Sequence, residues 1–187
     1  MPNWWPKPGK MAGDFIKIMI SGLMDFDHYG VLTEPGLDER EIAQLIRIAH
    51  EEGFAVMAHA NGARTVEAAA ASGVDSVEHG AYLDEKALRA MARSGTVWCP
   101  TVSTVLNLRH RGRFDDRAVE QIGSSAAENI RRFVQMGGLL APGSDAGAWA
   151  VPHGRGSEDE YRHLREILGI AAEAALAAGA EAIRAKF

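Results

Sequence analysis

Three residues of this sequence share one kind of address. His59 in AVMAHA, His79 in SVEHG and Asp145 in APGSDAG each close a short run rich in β-forming residues, and glycine or alanine follows. Imidazole nitrogens and a carboxylate held on rigid strand ends suit a catalytic metal site, which needs a few fixed protein ligands and one open position for water. A single strand-terminal histidine is most often a hydrogen-bonded loop residue. Three candidates at equivalent places in a repeat would require three independent coincidences. Lys17 is a fourth candidate, inside a strand among Ile16, Ile18 and Met19. A buried ammonium there is costly without a partner, and strand alternation leaves two readings open: a site role, or simple exposure.

Other residues with reactive side chains point less clearly. His50 falls near a helix C-terminus, where it would favour the dipole, while His28, His153 and His163 have no evident place, and Tyr29, His153 and Arg155 read as loop residues. The basic cluster Arg109, His110, Arg111 and Arg113 reads as a solvated loop rather than an anion clamp, because it lies beside glycine between periodic segments. Ser21 and Ser144 have no evident base partner. The sequence contains no GxGxxG after a strand, no GxxxxGK[ST], no GxSxG and no paired CxxC, which argues against nucleotide binding and serine hydrolysis.

The elements that must position these residues repeat along the chain. Gly53 precedes FAVMAHA, Gly73 precedes VDSVEHG, Gly95 precedes TVWCPT, and Gly137 with Gly138 precedes LLAPGSD; Gly13 before DFIKIMIS makes a fifth instance. Glycine just past a helix end suits the left-handed cap position. Between the strands lie helices: one over 38–52, with Asp38 and Glu41 as a capping box and Ile42, Leu45, Ile46 and Ala49 as its apolar stripe; a short one around Ala68–Ala71; one opened by Asp84 and carrying Leu88, Met91 and Ala92; and a longer one opened by Asp115 or Asp116. The alanine-rich stretch from Ile170 to Phe187 reads as two short helices interrupted at Gly179. Five strands alternating with helices predict an α/β fold with a parallel sheet, open or closed into a (β/α) barrel. Residues 1–187 read as one domain, with 1–12 as an irregular lead-in.

Composition sets outer bounds. The 187 residues are 47% hydrophobic and 24% charged, ordinary for a globular protein, and the formal net charge of -5 offers no basic surface for nucleic acid. One cysteine, Cys99, excludes an internal disulfide framework and fits a cytoplasmic setting. Nothing resembles a signal peptide, and no segment approaches the roughly 20 apolar residues a membrane helix requires. The partner expected is a small molecule, with neither nucleic acid nor membrane.

In order along the chain, DFIKIMISG, VMAHANG, SVEHG and APGSDAG resemble the fourth, fifth, sixth and eighth strands of the amidohydrolase superfamily, close to its imidazolonepropionase-like and prolidase-like members. The resemblance spans about Gly13 to Leu168. It implies strands 4 to 8 of a TIM barrel and a metal-dependent hydrolase, commonly with zinc, acting on C–N bonds of amides, cyclic amides or dipeptides. It further implies Lys17 as a carboxylated metal-bridging lysine, His59 and His79 as ligands of one ion, and Asp145 as ligand of the other and proton shuttle.

The family's first strand ends in an HxH pair that supplies two more ligands, and this sequence contains no HxH. The expectation is a partial barrel without strands 1 to 3, one or two ions with the second site weakened by the missing HxH, and an open sheet edge prone to self-association or to pairing with a complementary chain. Two other readings stand beside it. One is an inactive remnant serving as a folded or dimerising α/β module; the other is an unrelated open α/β protein in which His59, His79 and Asp145 lie far apart.

Overall fold

The computed structural model describes residues 13–187, so the irregular lead-in expected over 1–12 falls outside the described residues apart from its boundary. Five strands, β1 (Phe15–Met19), β2 (Ala55–Ala60), β3 (Ser76–His79), β4 (Val97–Cys99) and β5 (Leu139–Leu140), form one sheet in sequential order. Every pairing is parallel. The crossovers are α1 (Glu39–Glu51), α2 (Ala63–Ala71), α3 (Glu85–Ser94), and α4 (Ser103–Leu106) followed by α5 (Asp116–Gln135). This is the α/β repeat expected, and the common direction of its parallel strands brings all C-terminal strand ends to one face.

Local chemistry sets the boundaries. Asp38 caps α1 by accepting from the N–H groups of Arg40 and Glu41, and the Glu41 side chain returns to the Asp38 N–H, completing the capping box. Asp84 and Asp115 cap α3 and α5 more simply, each accepting one N–H, from Ala87 and Ala118. Gly53, Gly73, Gly95 and Gly137 all adopt positive φ, so each stops its helix and turns the chain into the next strand.

Alternation then sorts the strand residues. Val56, Ala58, Val77 and Trp98 lie under the helices, where Trp98 packs edge-on against Phe133 at 5.3 Å, while Lys17, His59, Glu78 and Cys99 belong to the opposite face. The α1 stripe is narrower than its periodicity suggests: Ile42, Ile46 and Ala49 are buried, but Leu45 is 37% exposed.

The C-terminal third departs from expectation. Arg155 is no loop residue but the first of α6 (Arg155–Leu168), and the segment read as two short helices is a 3-10 turn (Gly169–Ala171) leading into one helix, α7 (Ala172–Lys186). Gly179 does not interrupt α7; a Cβ there would overlap the carbonyl of Leu140. Because the Ala141 N–H donates to Trp98 O, that Leu140 carbonyl faces away from β4, and α7 therefore covers the outer edge of β5. At its far end Lys186 reaches Asp75 at 3.5 Å and the Phe187 ring meets Phe15 of β1 at 5.3 Å. The outer edge of β1 pairs with no strand among the described residues.

Candidate functional site

Lys17 from β1, His59 from β2, His79 from β3 and Asp145 after β5 all line one cavity of about 490 Å³ at the C-terminal strand ends. The sequence separates these four by as many as 128 residues; the parallel topology brings them together. The rings of His59 and His79 stand 4.5 Å apart between centroids, inclined at 61°. Alternation alone would send His79, whose partner in register is Ala60, under the helices. The backbone at His79 instead turns left-handed, φ 70°, and the ring meets His59. Thr101 at φ 46° and Asp145 at φ 54° are left-handed too, and such strained non-glycine residues gather at functional sites, at a cost of order 1–3 kcal/mol each.

Hydrogen bonds fix the two imidazoles. His59 Nε2 lies 3.2 Å from Gly22 O and 3.3 Å from Asn61 Nδ2; in the tautomer that donates to the carbonyl, Nδ1 keeps its lone pair. His79 Nδ1 sits 2.7 Å from Thr101 Oγ1. Burial pushes the His79 pKa down to about 3, with the charges of His59 and Lys17 adding to the effect, and burial likewise lowers that of His59. Both rings are therefore neutral at pH 7, the form that can bind a metal ion. Burial also lowers the Lys17 pKa, against the pull of Glu78 and Asp145, although the residue as a whole keeps access to solvent.

Several groups that matter here were not evident from sequence. Asn61, fully buried, accepts the Ala81 N–H through Oδ1 and donates Nδ2 to Gly22 O, tying the ends of β2 and β3 to the loop that carries Gly22. Glu78 is buried beside Ser76, whose hydroxyl donates to it at 2.7 Å, and it lies across from His59 in register. The alternation of SVEH could have placed Glu78 on the cavity side of the sheet. Thr101 and Asn61 left no signal, since their partners are distant in sequence.

The remaining histidines stay outside the site. His50 bonds Asp75 at 2.9 Å, His28 bonds Asp25 at 2.9 Å, and His163 bonds Asn107 at 2.9 Å. Ser21 is structural, accepting the Asn61 N–H at 2.7 Å. Burial holds the Cys99 thiol well above its ordinary pKa, so it remains protonated and inert.

As a donor set, the cavity offers two neutral imidazoles side by side, which suits a divalent ion of zinc type. Among the described residues no three His, Cys, Asp or Glu side chains gather within reach of one ion, so the pair is an incomplete set. Lys17 lines the same cavity as an amine.

No family model matches the sequence, and no curated protein matches it. Solved structures do. A Xaa-Pro dipeptidase whose crystal structure holds methionine in the active site aligns with a TM-score of 0.74 and 25% identity over 94% of this chain and 45% of its own. An amidohydrolase aligns with a TM-score of 0.71 and 26% identity over 93% of this chain and 43% of its own. The chain folds as part of a prolidase- and amidohydrolase-type barrel. A putative prolidase from Bifidobacterium longum shares the fold as well, with a TM-score of 0.72 at 22% identity over 91% of this chain and 45% of that one. This barrel part thus spans less than half the length of the structures it matches, and the likeness supports a hydrolase family. Among the described residues, no helix of the barrel part is long and apolar enough to cross a membrane.

Proposed function

We propose that this chain carries the metal-holding half of a hydrolase that cleaves C–N bonds of amides, cyclic amides or dipeptides, working on a small molecule in the cytoplasm. One observation carries the reading: two neutral imidazoles face each other at 4.5 Å on adjacent strand ends, in a cavity that also receives Lys17 and Asp145. His59 through Nδ1 and His79 through Nε2 would hold one divalent ion, most naturally zinc; a second ion lacks the HxH pair that would complete its site. Lys17 would supply a third donor as a carbamate, since an amine with lowered pKa adds to carbon dioxide and releases a proton.

When bound, a divalent ion supplies Lewis acidity, lowering the pKa of water toward ~7 and polarising a scissile carbonyl. The chain's own groups do the rest. Asp145 accepts a proton from the attacking water and returns it to the leaving nitrogen. Thr101 orients His79, and Gly22 orients His59.

Elemental analysis and zinc titration of the purified chain, beside His59→Ala and His79→Ala, test this. One zinc per chain is expected, with affinity at least ten times weaker in either variant. Wild-type protein that takes up no metal after loading would sink the reading. The lack of a third donor among the described residues favours a second reading, an inactive α/β module that associates through the free edge of β1. Zinc uptake without hydrolysis of any amide would select it.

A further inference from the structure

The chain between β1 and α1 makes an arm of its own. Residues 23–33 fold back as a short antiparallel hairpin: Met24 bridges Leu32, the Asp25 N–H donates to Val31 O at 3.0 Å, and the Thr33 N–H donates to Leu23 O at 2.9 Å. The Leu23 N–H returns to Thr33 Oγ1 at 3.0 Å. All these bonds lie within the hairpin, so it can swing without breaking them. Its root is fixed and its body is not. Ile20, Ser21 and Gly22 are buried, whereas every residue of 23–38 is at least partly exposed. A segment that buries so little apolar surface opens at a small fraction of the global unfolding free energy.

Three contacts hold the hairpin down, all of them near its tip. The Asp115 N–H, at the start of α5, donates to Asp27 Oδ1 at 2.8 Å, and the helix dipole favours a carboxylate there. Phe26 rests on Phe114 at 5.2 Å between centroids, and Tyr29 on Tyr82 at 5.4 Å. The rim that Phe26 meets is itself braced: Phe114 packs against Trp149 at 6.3 Å, and the Arg113 guanidinium covers both rings.

Beneath the hairpin lies the cavity, lined from this side by Leu23, Met24, Phe26 and Thr33. His59 is only 7% exposed although it lines the same cavity, while Lys17 is exposed, so the histidine end is the sheltered one. Gly22 stands at the pivot. Its carbonyl orients His59 at 3.2 Å and receives Asn61 Nδ2 at 3.2 Å, and the hairpin's two legs meet there so closely that a Cβ on Gly22 would overlap the Glu34 backbone.

We propose that residues 23–34 are a hinged flap, pivoting at Gly22 and latched by Asp27 to the start of α5, which shelters His59 and admits ligands to the imidazole pair by unlatching. The flap is independent of the hydrolase reading, since the contacts that latch it are none of the candidate metal ligands. Diethyl pyrocarbonate acylates neutral imidazoles, so its rate at His59 in metal-free protein at pH 7, followed by peptide mass spectrometry, counts flap openings. His50, which bonds Asp75 at the opposite end of the sheet, is the internal control. Asp27→Ala should speed acylation of His59 at least threefold, and Tyr29→Ala should act in the same direction. Val31→Ala, at an exposed flap position that touches neither latch, should leave the rate unchanged. His50 should react at one rate in all four proteins, and the urea midpoint of Asp27→Ala should match that of wild type, as local opening requires. Equal rates at His59 in all four proteins, or a rise at His59 matched by the same rise at His50, overturns the flap.

Discussion

Glu160 of α6 is fully buried, and it accepts the Val102 N–H at 2.9 Å and the Ser103 N–H at 2.6 Å. Those two amides follow Thr101, whose hydroxyl orients His79, so one carboxylate anchors the segment on which the histidine depends. Burial raises its pKa from 4.5 to about 7, outweighing the amide bonds that favour the charged form. Between those values the folded chain binds the proton that the unfolded chain has released, so this contribution is complete below pH 4.5 and is lost as pH rises through about 7. Its full size is on the order of 3 kcal/mol, from 1.36 kcal/mol per pKa unit. Glu160→Gln keeps one acceptor and strands one amide, which costs about 1–3 kcal/mol. Urea unfolding at pH 5 and pH 8 should therefore show the variant less stable than wild type at pH 5, with the gap narrowing at pH 8. Parallel profiles for the two proteins would refute the assignment.

At the level of elements, Gly179 shows how one residue type carries two meanings. In an isolated helix Gly→Ala gains about 1 kcal/mol, and on that ground the glycine reads as a break. Here the position faces backbone, and a methyl group would meet the Leu140 carbonyl, a contact that only displacement of α7 relieves. Overpacking of that kind costs about 1–3 kcal/mol, so Gly179→Ala should lower the urea midpoint despite its better propensity; a raised midpoint would show that α7 does not touch β5 this closely. The same contrast explains what was legible. Strand ends, capping aspartates and cap glycines are local signals, and they single out His59, His79 and Asp145 along with four of the crossover helices, while Lys17, inside its strand, stands between a site role and exposure. Helix α6 offers only the short apolar stripe of Leu164 and Ile167, because the rest of its buried face includes Asp159, Glu160 and His163, each satisfied by partners across the fold. Thr101 and Asn61 matter only through neighbours that the topology brings close, and a linear pattern holds no trace of those.

Over the whole molecule, α7 stands between the two ends of an unclosed sheet. Ala172, Leu176 and Gly179 are buried, Gly179 lies on the outer carbonyl edge of β5, and Phe187 reaches Phe15 of β1. Parallel strands whose edges are bare offer unpaired N–H and C=O groups to other chains, and barrels avoid the hazard by closing on themselves. This chain closes the gap at one end with a helix. Phe15 and Met19, at 40% and 59% exposure, mark the end that no strand pairs among the described residues. Removal of residues 172–187 would uncover the β5 edge as well, giving a sheet with two free edges. Light scattering on the shortened chain should then show association that grows steeply with concentration, at concentrations where the full chain scatters less. If the shortened chain stays at monomer mass and unfolds at the same urea concentration, α7 contributes nothing to closure and the sheet edge at β5 must be protected by its shortness alone, two residues being too few to template a partner strand.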